Sequence, residues 1–583
     1  MRTHTCGELD KSDIKKNVRL CGWTASSRDH GGIIFVDLRD RHGLTQAVFD
    51  PKHDKKTHSI AEQLRREDVI VIKGKVRARG KGLENLNLKT GEIEVLVDEL
   101  DVLSKAETPP LEIDDRVEAN EDMRLKYRYL DLRRPKMQKH LLVRHNAAQA
   151  AREYLNKNNF LEIETPILVR ATPEGARDYI VPSRINPGRF YALPQSPQLY
   201  KQILMVSGFD RYYQIARCLR DEDLRQDRQP EHTQIDLEMS FVNAGDVMDL
   251  VEGLYKYMMK KVLNVDIKYS FPKISHKEAM EKYGSDKPDL RFGLEFIDVT
   301  EIAKKSDFQV FNKAEKIKCI NPEDKFSRNE IDDLINYAIS VGSKGLAWMR
   351  VTDKGLESNI VKFFNAELQK KLIEKTKAKN GSILFFVADK EKSANEILSK
   401  IRIEVARRLK LIKENDFRFC WVVDFPMFEW NEDENKWQPS HHIFTAPKKE
   451  HHALIEKDHG NIYADLYDLV LNGIELGSGS IRETNPEVQQ RLMKVIGLSE
   501  KEARQKFGFL MDAFKYGVPP HGGMGLGFDR IVALMCGYND IREVIAFPKN
   551  KDAECPMDGS PSEVEEKQLK ELNIKVELVK RKQ

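Results

Sequence analysis

Two β-forming runs separated by a highly charged segment constrain the fold of this chain more than any other stretch. The runs are residues 212–216 and 233–237, whose aromatic and β-branched side chains are typical of strands. The segment between them, which contains the runs 220–223 and 228–231, is too polar to belong to a core. We therefore predict a hairpin whose loop carries arginines and carboxylates.

The charged loop of this hairpin allows two interpretations. An arginine at a strand end offers a planar fork of donors that suits a phosphate, and neighbouring carboxylates can hold an amine, a hydroxyl or a metal ion. A solvated hairpin tip with surface ion pairs would have the same composition. The other stretches of the chain decide between them.

The size and charge of the chain bound its possible functions. With 583 residues it is too long for one hydrophobic core, so we expect several domains. Its 96 basic and 93 acidic residues nearly balance, so any nucleic-acid contact must come from local patches. No apolar run has the length of a membrane span, and no signal peptide opens the chain. The seven scattered cysteines are typical of reduced thiols, which predicts a cytoplasmic protein without disulfides or a zinc site.

Residues 1–104 are expected to form a β-barrel. Five short β-branched runs are separated by turns rich in glycine and aspartate, at 18–23, 33–38, 45–49, 69–76 and 92–97. Five such strands suit an OB-type barrel, whose sheet commonly binds single-stranded nucleic acid, although a barrel without a ligand would have the same pattern. Residues 105–136 then form a linker, whose alternating basic and aromatic residues could contact nucleic acid or pack a hinge.

The middle of the chain combines a helix, two polar loops and an insertion. Apolar residues recur at helical spacing over 140–158, and a strand at 160–165 ends at Pro166. The turn-rich segments 171–179 and 192–201 are typical of binding loops, although a rigid surface crossover needs the same residues. Residues 292–419 form a lysine-rich, mixed α/β segment without a catalytic constellation.

Candidate site residues return near the end of the chain. A histidine pair such as His441-His442 is most often a surface feature or part of a metal site. Residues 464–482 combine acids with Arg482, and residues 522–534 form a glycine-rich strand followed by a helix. A glycine-rich helix start is a weak phosphate signal, because such sequences also serve close packing.

Taken together, these stretches resemble the class II aminoacyl-tRNA synthetases, in the form of the bacterial-type aspartyl enzymes. The hairpin at 208–238 resembles motif 2, residues 140–166 resemble motif 1, and residues 522–534 resemble motif 3. The resemblance covers nearly the whole chain and implies a multidomain α+β fold and a homodimer. Its expected parts are an OB-fold anticodon-binding domain (1–104), a hinge (105–136), a catalytic domain in two segments built on an antiparallel sheet (137–291 and 420–583), and an inserted mixed α/β domain (292–419).

The resemblance also implies the reaction and its residues. The family activates L-aspartate with ATP and Mg²⁺ and transfers it to tRNA(Asp). By resemblance the catalytic residues are Arg220 and Arg530, and the Mg²⁺ ligands are Asp468 and Glu475. The aspartate pocket comprises Glu174, Ser196, Gln198, Lys201, Asp236, His441 and Arg482. The ATP site comprises Arg220, Asp221, Glu222, Gln229, His232, Glu475, Gly527, Phe528, Asp529 and Arg530. The anticodon residues are Arg28, Phe35, Gln46 and Glu94.

The pocket charges implied by this resemblance account for amino-acid choice. Lys201 and Arg482 would pair with the side-chain carboxylate of aspartate, and Asp236 would orient these cations or the substrate ammonium. An amide in that position would leave the cations without an anion, and such sites can reject the wrong ligand by roughly 10⁴–10⁵.

Two positions depart from the family pattern. His232 stands where a phenylalanine usually stacks on adenine, and an imidazole has a smaller ring that can be protonated. Ile443 stands where proline is usual, so the loop lacks that residue's fixed φ. The first departure bears on the affinity for ATP and its pH dependence, and the second on the preorganisation of the loop.

Two barrel residues bear on the choice of tRNA. His30 and Gly82 resemble those of non-discriminating enzymes, which also charge tRNA(Asn), whereas discriminating forms carry a leucine and a bulkier residue there. A turn glycine and an incidental surface histidine, in an enzyme that charges tRNA(Asp) only, are the alternative, but we expect the non-discriminating form, which charges tRNA(Asp) and tRNA(Asn). A paralogue that only binds tRNA is a further alternative, but it would be expected to lose one of Arg220, Glu475, Arg482 or Arg530, and all four are present.

Overall fold

The computed structural model describes residues 1–172, 176–323, 326–432 and 434–577. The chain divides into two compact units, of which the first comprises Met1–Arg144 with Arg542–Glu563 and the second His145–Ile541 with Val564–Gln583. Within the described residues, no helix combines the length and apolar character that a membrane crossing requires.

The first unit contains the predicted barrel. Its elements are β1 (Asn17–His30), β2 (Ile33–Asp40), β3 (Gly43–Phe49), α1 (Lys55–Ala61), β4 (Val69–Ala78), β5 (Ile93–Ser104), α2 (Glu121–Lys126), α3 (Arg128–Asp131) and the start of α4 (Pro135–Lys157). The five strands close in the order β1-β2-β3-β5-β4, with β3 and β5 parallel and the other pairs antiparallel. Side chains such as Val18, Leu20, Val36 and Ile72 alternate into one buried core. The expectation of an OB-type barrel is therefore confirmed.

The expected hinge at 105–136 is folded structure. Its short helices carry Arg128, which is 3% exposed and donates to the carbonyl oxygens of Arg542, Ile545 and Ala546 at 3.0, 2.9 and 2.9 Å. Asp131 accepts from the same guanidinium at 2.6 Å. These bonds place residues 542–563 in the first unit, whereas the sequence-based division assigned them to the catalytic segment 420–583.

The second unit contains the remaining elements. Its strands are β6 (Leu161–Glu162), β7 (Ile180–Pro182), β8 (Phe190–Ala192), β9 (Arg211–Leu219), β10 (Glu231–Ser240), β11 (Lys273–Ser275), β12 (Ile297–Asp298), β13 (Lys316–Ile320), β14 (Ala347–Thr352), β15 (Gly355–Glu357), β16 (Ile383–Asp389), β17 (Phe419–Val423), β18 (Phe428–Asn431), β19 (Lys436–Pro439), β20 (Leu466–Leu471), β21 (Ile474–Ile481) and β22 (His521–Gly527). Its helices after α4 are α5 (Gln198–Val206), α6 (Ala244–Leu263), α7 (His276–Tyr283), α8 (Thr300–Ala303), α9 (Gln309–Lys313), α10 (Arg328–Ser340), α11 (Ala366–Thr376), α12 (Glu391–Arg408), α13 (Pro486–Val495), α14 (Glu500–Phe514), α15 (Phe528–Met535) and α16 (Glu566–Glu571).

An eight-stranded sheet organises this unit, in the order β11-β17-β20-β21-β22-β10-β9-β6. The six central strands are antiparallel, and the outermost pair at each end is parallel. The predicted hairpin is β9 with β10, which pair in continuous register from Arg211 with Met239 to Leu219 with Glu231. The antiparallel catalytic sheet expected from the sequence is thus confirmed.

The inserted segment has its own sheet between α7 and β17. Strands β12-β13-β16-β14-β15 form an antiparallel sheet with a separate apolar cluster on each face. Although this insertion separates them in sequence, β11 and β17 pair with each other in the large sheet. The insertion therefore leaves and re-enters the catalytic sheet at neighbouring strands.

Glycines form the centre of the large sheet along β21 and β22. A Cβ atom on Gly479 would lie 2.6 Å from the ring of Tyr467 and would overlap the carbonyl oxygen of Gly523 on the neighbouring strand. A Cβ on Gly523 would overlap the carboxylate of Glu238 and the carbonyl oxygen of Leu237 on β10. The absence of side chains at these glycines therefore allows β22 to pack closely against β21 and β10.

We predict that Gly479→Ala destabilises the second unit by about 1–3 kcal/mol, because backbone and a buried ring must move to admit one methyl group. Gly508→Ala is the matched control, because no atom lies within 4 Å of an added Cβ on this helical residue. Alanine favours a helix interior by roughly 0.5–1 kcal/mol, so the control should be neutral or stabilising. Denaturant midpoints followed by tryptophan fluorescence compare the two, and equal midpoints would contradict the close-packing argument.

Candidate active site

A cavity of about 490 Å³ opens on the glycine-rich part of the large sheet in the second unit. Most of the predicted site residues line it: Ser196, Gln198, Lys201, Arg220, Glu222, Gln229, His232, Asp236, His441, Glu475, Arg482, Gly527, Asp529 and Arg530. Asp221, Phe528 and Asp468 are not part of the lining formed by the described residues, and Glu174 lies outside the described residues. The sheet therefore gathers side chains from α5, the β9–β10 hairpin, β21 and α15 around one space.

Lys201 and Asp236 form the buried end of this cavity. Lys201 projects from α5, and its Nζ lies 2.8 Å from Asp236 Oδ1 and 3.3 Å from Glu238 Oε2. Asp236 and Glu238 are two positions apart on β10, so both carboxylates point to the same face of the sheet. Each of the three side chains is at most 2% exposed.

Glu238 also holds Arg482 in place. Arg482 Nε and Nη2 donate to the two oxygens of Glu238 at 2.8 and 3.0 Å, and Nη1 donates to Ser480 Oγ at 2.6 Å. A guanidinium has five N–H groups, so one hydrogen on each terminal nitrogen is not used by these bonds. Arg482 can therefore still donate to a ligand carboxylate through one N–H group on each of Nη1 and Nη2.

The electrostatics of this four-residue network are balanced. Burial raises the pKa of the Glu238 carboxyl, but Arg482 and then Lys201 outweigh it and hold that pKa at about 2. Burial raises the pKa of Asp236, against the opposing effect of Lys201. Two cations face two carboxyl groups, so the network carries little net charge before a ligand binds.

Arginines dominate the other end of the cavity. Arg220 follows the last residue of β9, and its backbone N–H donates to Pro230 O at 2.8 Å, which extends the hairpin ladder. Arg530 lies in the first turn of α15, where Nη1 donates to the carbonyl oxygen of Glu475 at 2.9 Å and Nη2 to Asp227 Oδ2 at 3.3 Å. The hairpin tip is thus a cavity wall and not only a solvated surface.

Asp529 has a structural contact in addition to its place in the lining. Its Oδ2 accepts a hydrogen bond from the backbone N–H of Thr233 at 2.7 Å, and the side chain is buried. This bond ties the start of α15 to β10 and so aligns Arg530 with the hairpin.

Buried polar atoms without a hydrogen-bond partner cluster at the cavity. Of those found in the described part of the chain, four belong to lining residues: Gln198 Nε2, Arg220 Nε, Asp236 Oδ2 and Ser440 Oγ. A buried unpaired donor or acceptor costs about 1–3 kcal/mol, so such groups are rare unless a ligand or water uses them. These two donors, one acceptor and one hydroxyl group can therefore bind a polar ligand.

Asp468 and Glu475 could hold a divalent cation. They lie on β20 and β21, where a bulge at Leu476 shifts the register so that Glu475 pairs with Val470 while Asp468 pairs with Ser478. Because of that extra residue, both carboxylates project from the same face. Burial and then Glu475 raise the pKa of Asp468 well above its usual range, and Asp468 Oδ1 has no hydrogen-bond partner among the described residues.

This pair suits Mg²⁺ better than a metal held by protein alone. In the described ranges, no three His, Cys, Asp or Glu residues converge as a complete metal site. Mg²⁺ is commonly held by one or two carboxylates together with substrate phosphates and water. The orphaned oxygen of Asp468 and the neighbouring Glu475 fit that arrangement.

The barrel of the first unit has a polar face of its own. Arg28 pairs in register with Phe35 on β2, and its guanidinium lies 3.0 Å from Asp37 Oδ2. Gln46 Nε2 donates to Glu94 Oε2 at 2.9 Å. All four predicted anticodon residues therefore lie on β1, β2, β3 and β5, with Phe35 half-buried as a flat apolar surface beside them.

Comparison with known proteins defines the family. The model of class II tRNA synthetases for D, K and N matches residues 120–551, and that of the OB-fold nucleic acid binding domain matches residues 18–103. The chain belongs to the class II aminoacyl-tRNA synthetases.

Individual relatives agree over the full length of the chain. An aspartate–tRNA(Asp/Asn) ligase of Caldanaerobacter subterraneus subsp. tengcongensis is 52% identical over 583 residues, which cover 99% of this chain and 98% of the relative. An enzyme of the same name from Aquifex aeolicus is 49% identical over 99% of this chain and 98% of its own. The solved asparaginyl-tRNA synthetase of Pyrococcus horikoshii with asparaginyl-adenylate is 21% identical, has a TM-score of 0.59, and covers 94% of this chain and 97% of its own. That last likeness concerns the fold alone.

The two departures from the family pattern have structural explanations in this synthetase. Burial lowers the pKa of His232 to about 3, and Arg220, Arg530 and Arg217 add to the effect. The imidazole ring of His232 is therefore neutral near physiological pH. Ile443 packs beside Phe444 and its neighbours, and its carbonyl oxygen accepts from Gln489 Nε2 at 2.9 Å, so contacts hold the loop where proline is absent.

Sequence reasoning missed two residues of the synthetase site. Glu238 could have been found from its spacing, because it lies two positions after Asp236 on a predicted strand. Lys287, whose Nζ lies 3.4 Å from Glu475 Oε2, follows α7 far from every motif, and no local pattern marks it.

We predict that Glu238→Gln destabilises the second unit by about 3–5 kcal/mol, because it leaves the buried Arg482 without its anion. Glu231→Gln is the matched control on the same strand, since its partner Arg217 is 49% exposed and such surface pairs contribute about 0–1 kcal/mol. Denaturant unfolding of both variants measures the difference. Similar losses in the two variants would show that the buried network contributes no more than a surface pair.

Proposed function

We propose that this chain is an aspartate–tRNA(Asp/Asn) ligase. It activates L-aspartate with ATP and transfers the aspartyl group to the 3′ end of tRNA(Asp) and of tRNA(Asn). The observation that carries the proposal is that Arg482 and Lys201 are both held by Glu238 at the closed end of a cavity whose other end carries arginines, and that two N–H groups of Arg482 are not used by its bonds to Glu238 and Ser480. The relatives that match the whole chain bear the same activity in their names.

The closed end of the cavity selects the amino acid. The side-chain carboxylate of aspartate accepts from the remaining N–H groups of Arg482, with Lys201 nearby as a second positive charge. The amide of asparagine would turn an NH₂ group toward these donors, and a site built on such pairing can reject the wrong ligand by roughly 10⁴–10⁵. Asp236 Oδ2, which is buried and unpaired, accepts from the substrate ammonium.

The arginine end of the cavity positions ATP. In the first step the α-carboxylate of aspartate attacks the α-phosphorus, the bond to the bridging oxygen breaks, and pyrophosphate leaves. In the second step the terminal 3′-hydroxyl of tRNA attacks the aspartyl carbonyl and AMP leaves. Arg220 and Arg530 hold and neutralise the phosphates, so positioning and electrostatics supply most of the catalysis.

Two carboxylates and the hairpin complete the ATP site. Asp468 and Glu475 would hold Mg²⁺, which would supply positive charge to the phosphate oxygens. Gln229 and Glu222 contact the nucleotide, and Arg228 fixes Glu222 Oε2 at 2.9 Å. The neutral ring of His232 stacks on adenine.

The barrel of the first unit reads the anticodon. Phe35 stacks on one base, which contributes roughly 1–3 kcal/mol, while Arg28, Gln46 and Glu94 contact base edges. Gly82 has φ of +83°, and no atom lies within 4 Å of a Cβ added there, so open space is left for more than one third base. We further propose a homodimer that acts in the cytoplasm, where tRNA is charged.

We predict that the purified protein aspartylates transcripts of tRNA(Asp) and tRNA(Asn) with kcat/KM values within about tenfold of each other. The double variant His30→Leu with Gly82→Asn should lower kcat/KM for tRNA(Asn) by about tenfold or more and spare tRNA(Asp), because the new side chains fill the open space. Asparagine tolerates the positive φ of this position.

Gly188→Asn is the matched control for backbone strain, since Gly188 also has a positive φ, +74°, and free space around its Cβ position. It should change neither rate. If the wild-type protein charged only tRNA(Asp), the proposed ligase activity would stand. The proposal that His30 and Gly82 permit charging of tRNA(Asn) would be wrong. Absence of aspartate-dependent pyrophosphate exchange would contradict the proposed ligase activity.

A second prediction concerns pH. Since the pKa of His232 is about 3, the ring stays neutral at every pH well above that value, and the KM for ATP carries no contribution from its titration. The ratio of the KM values of His232→Phe and wild type should therefore be constant between about pH 6 and about pH 8.5. A ratio that changes with a midpoint near the usual histidine pKa would show that the ring is protonated in the site.

A further inference from the structure

The Glu475 carboxylate is held between two cations. Its Oε1 lies 3.7 Å from Arg530 Nη1, and its Oε2 lies 3.4 Å from Lys287 Nζ. Lys287 Nζ also lies 3.0 Å from Asp286 Oδ2. Each oxygen of Glu475 therefore faces a different positive charge, one on α15 and one on the loop after α7.

Lys287 and Arg530 differ in their access to the cavity. Arg530 and Glu475 line it, whereas Lys287 is not among the described residues that do. The ammonium therefore contacts Glu475 from outside the lining. It does not compete with ATP for the space but restrains the orientation of the carboxylate.

The loop that carries Lys287 is fixed at its far end by the inserted domain. Arg402 on α12 is 2% exposed, and it donates to the carbonyl oxygens of Asp289, Phe292 and Gly293 at 2.9, 3.0 and 2.8 Å. The Arg402 guanidinium also lies over the Phe292 ring, 4.3 Å from its centroid. Three carbonyl oxygens of this segment thus bind one buried cation.

The near end of the loop is fixed by the same domain. Lys318 on β13 is 2% exposed, and its Nζ lies 2.7 Å from Asn395 Oδ1 and 3.4 Å from the carbonyl oxygens of Met280 and Glu281 in the last turn of α7. Gly284 ends this helix with φ of +67°, and a Cβ there would lie 2.5 Å from the Asn395 carbonyl oxygen. The helix end therefore packs directly on the inserted domain.

We propose that Lys287 is a positioning residue for Glu475, and that the inserted domain supports the ATP site by holding the loop that carries it. With Lys287 in place, Glu475 is anchored through Oε2 and presents Oε1 toward the cavity. Without it, Glu475 turns toward Arg530, takes that guanidinium away from the phosphates, and no longer faces the cavity beside Asp468. The inference rests on the proposed ATP-dependent function.

The test compares Lys287→Met, Lys287→Arg and the control Lys282→Met in the full-length protein. Lys282 lies five positions upstream, 43% exposed, with its Nζ 2.9 Å from Glu278. Pyrophosphate exchange gives the KM values for ATP and for aspartate. The melting-temperature shift caused by MgATP without aspartate gives a readout that needs no turnover.

Loss of such a supporting contact typically costs 10–100-fold, so we expect Lys287→Met to raise the KM for ATP by about tenfold or more and the KM for aspartate by less than about twofold. The melting-temperature shift with MgATP should shrink in parallel, Lys287→Arg should recover most of both effects, and Lys282→Met should behave as wild type. An unchanged KM for ATP, equal losses for both substrates, or Lys287→Arg as impaired as Lys287→Met would each overturn the proposal.

Arg402→Lys tests the part played by the inserted domain, because it keeps the charge but loses the planar Nε and Nη2 donors that bind the carbonyl oxygens of Asp289, Phe292, Gly293 and Leu294. Its melting temperature without ligand reports folding, and a folded variant should show a raised KM for ATP in the same direction as Lys287→Met. A folded variant with wild-type KM for ATP would overturn this part. If the wild-type protein itself showed no aspartate-dependent exchange, the proposed function would fall, while the MgATP shift would still test Lys287.

Discussion

The buried charges of Lys201, Asp236, Glu238 and Arg482 are the constraint on which the rest of the catalytic unit depends. A charge removed from water is stable only if it is paired and hydrogen-bonded, so each member needs the others in place. The four residues come from α5, β10 and the end of β21. Correct pairing therefore requires that the helix, the strand register and the central sheet form together.

The two ends of the cavity use charge in different ways. At the closed end, cations and carboxyl groups nearly cancel, and selection depends on which donors and acceptors remain unpaired. At the arginine end, three arginines stand among four carboxylates, so donors are available to phosphate oxygens and acceptors to a divalent cation. The bulge at Leu476 belongs to the arginine end, because it turns Glu475 to the face that also carries Asp468. A single extra residue in β21 thus brings these two carboxylates together.

Local patterns predicted much of this structure. The runs at 212–216 and 233–237 lie within β9 and β10, and the five β-branched runs of the first domain coincide with the strands of a closed barrel to within one residue, because alternation and turn residues are local signals. The resemblance to class II synthetases supplied fourteen of the thirty described residues that line the cavity. It also suggested Asp221 and Phe528, which are not among those residues, since neighbours of a site residue in sequence need not face the same side.

What the sequence did not reveal depends on contacts between distant residues. Arg128 binds carbonyls more than four hundred positions away, so the grouping of residues 542–563 with the barrel has no local pattern. Lys287 reaches Glu475 only because the inserted domain holds its loop. The alternation of residues along β10 could have identified Glu238. Its pairing with Arg482 could be known only from the register of β10, β22 and β21.

The glycine-rich floor of the cavity has an evolutionary consequence. Where neighbouring strands exclude even a methyl group, as at Gly477 and Gly479, no amino-acid replacement can add chemistry to the floor without displacing the backbone. Substitutions that change which ligand the cavity accepts are therefore expected in its walls, at side chains such as Lys201 and Arg482.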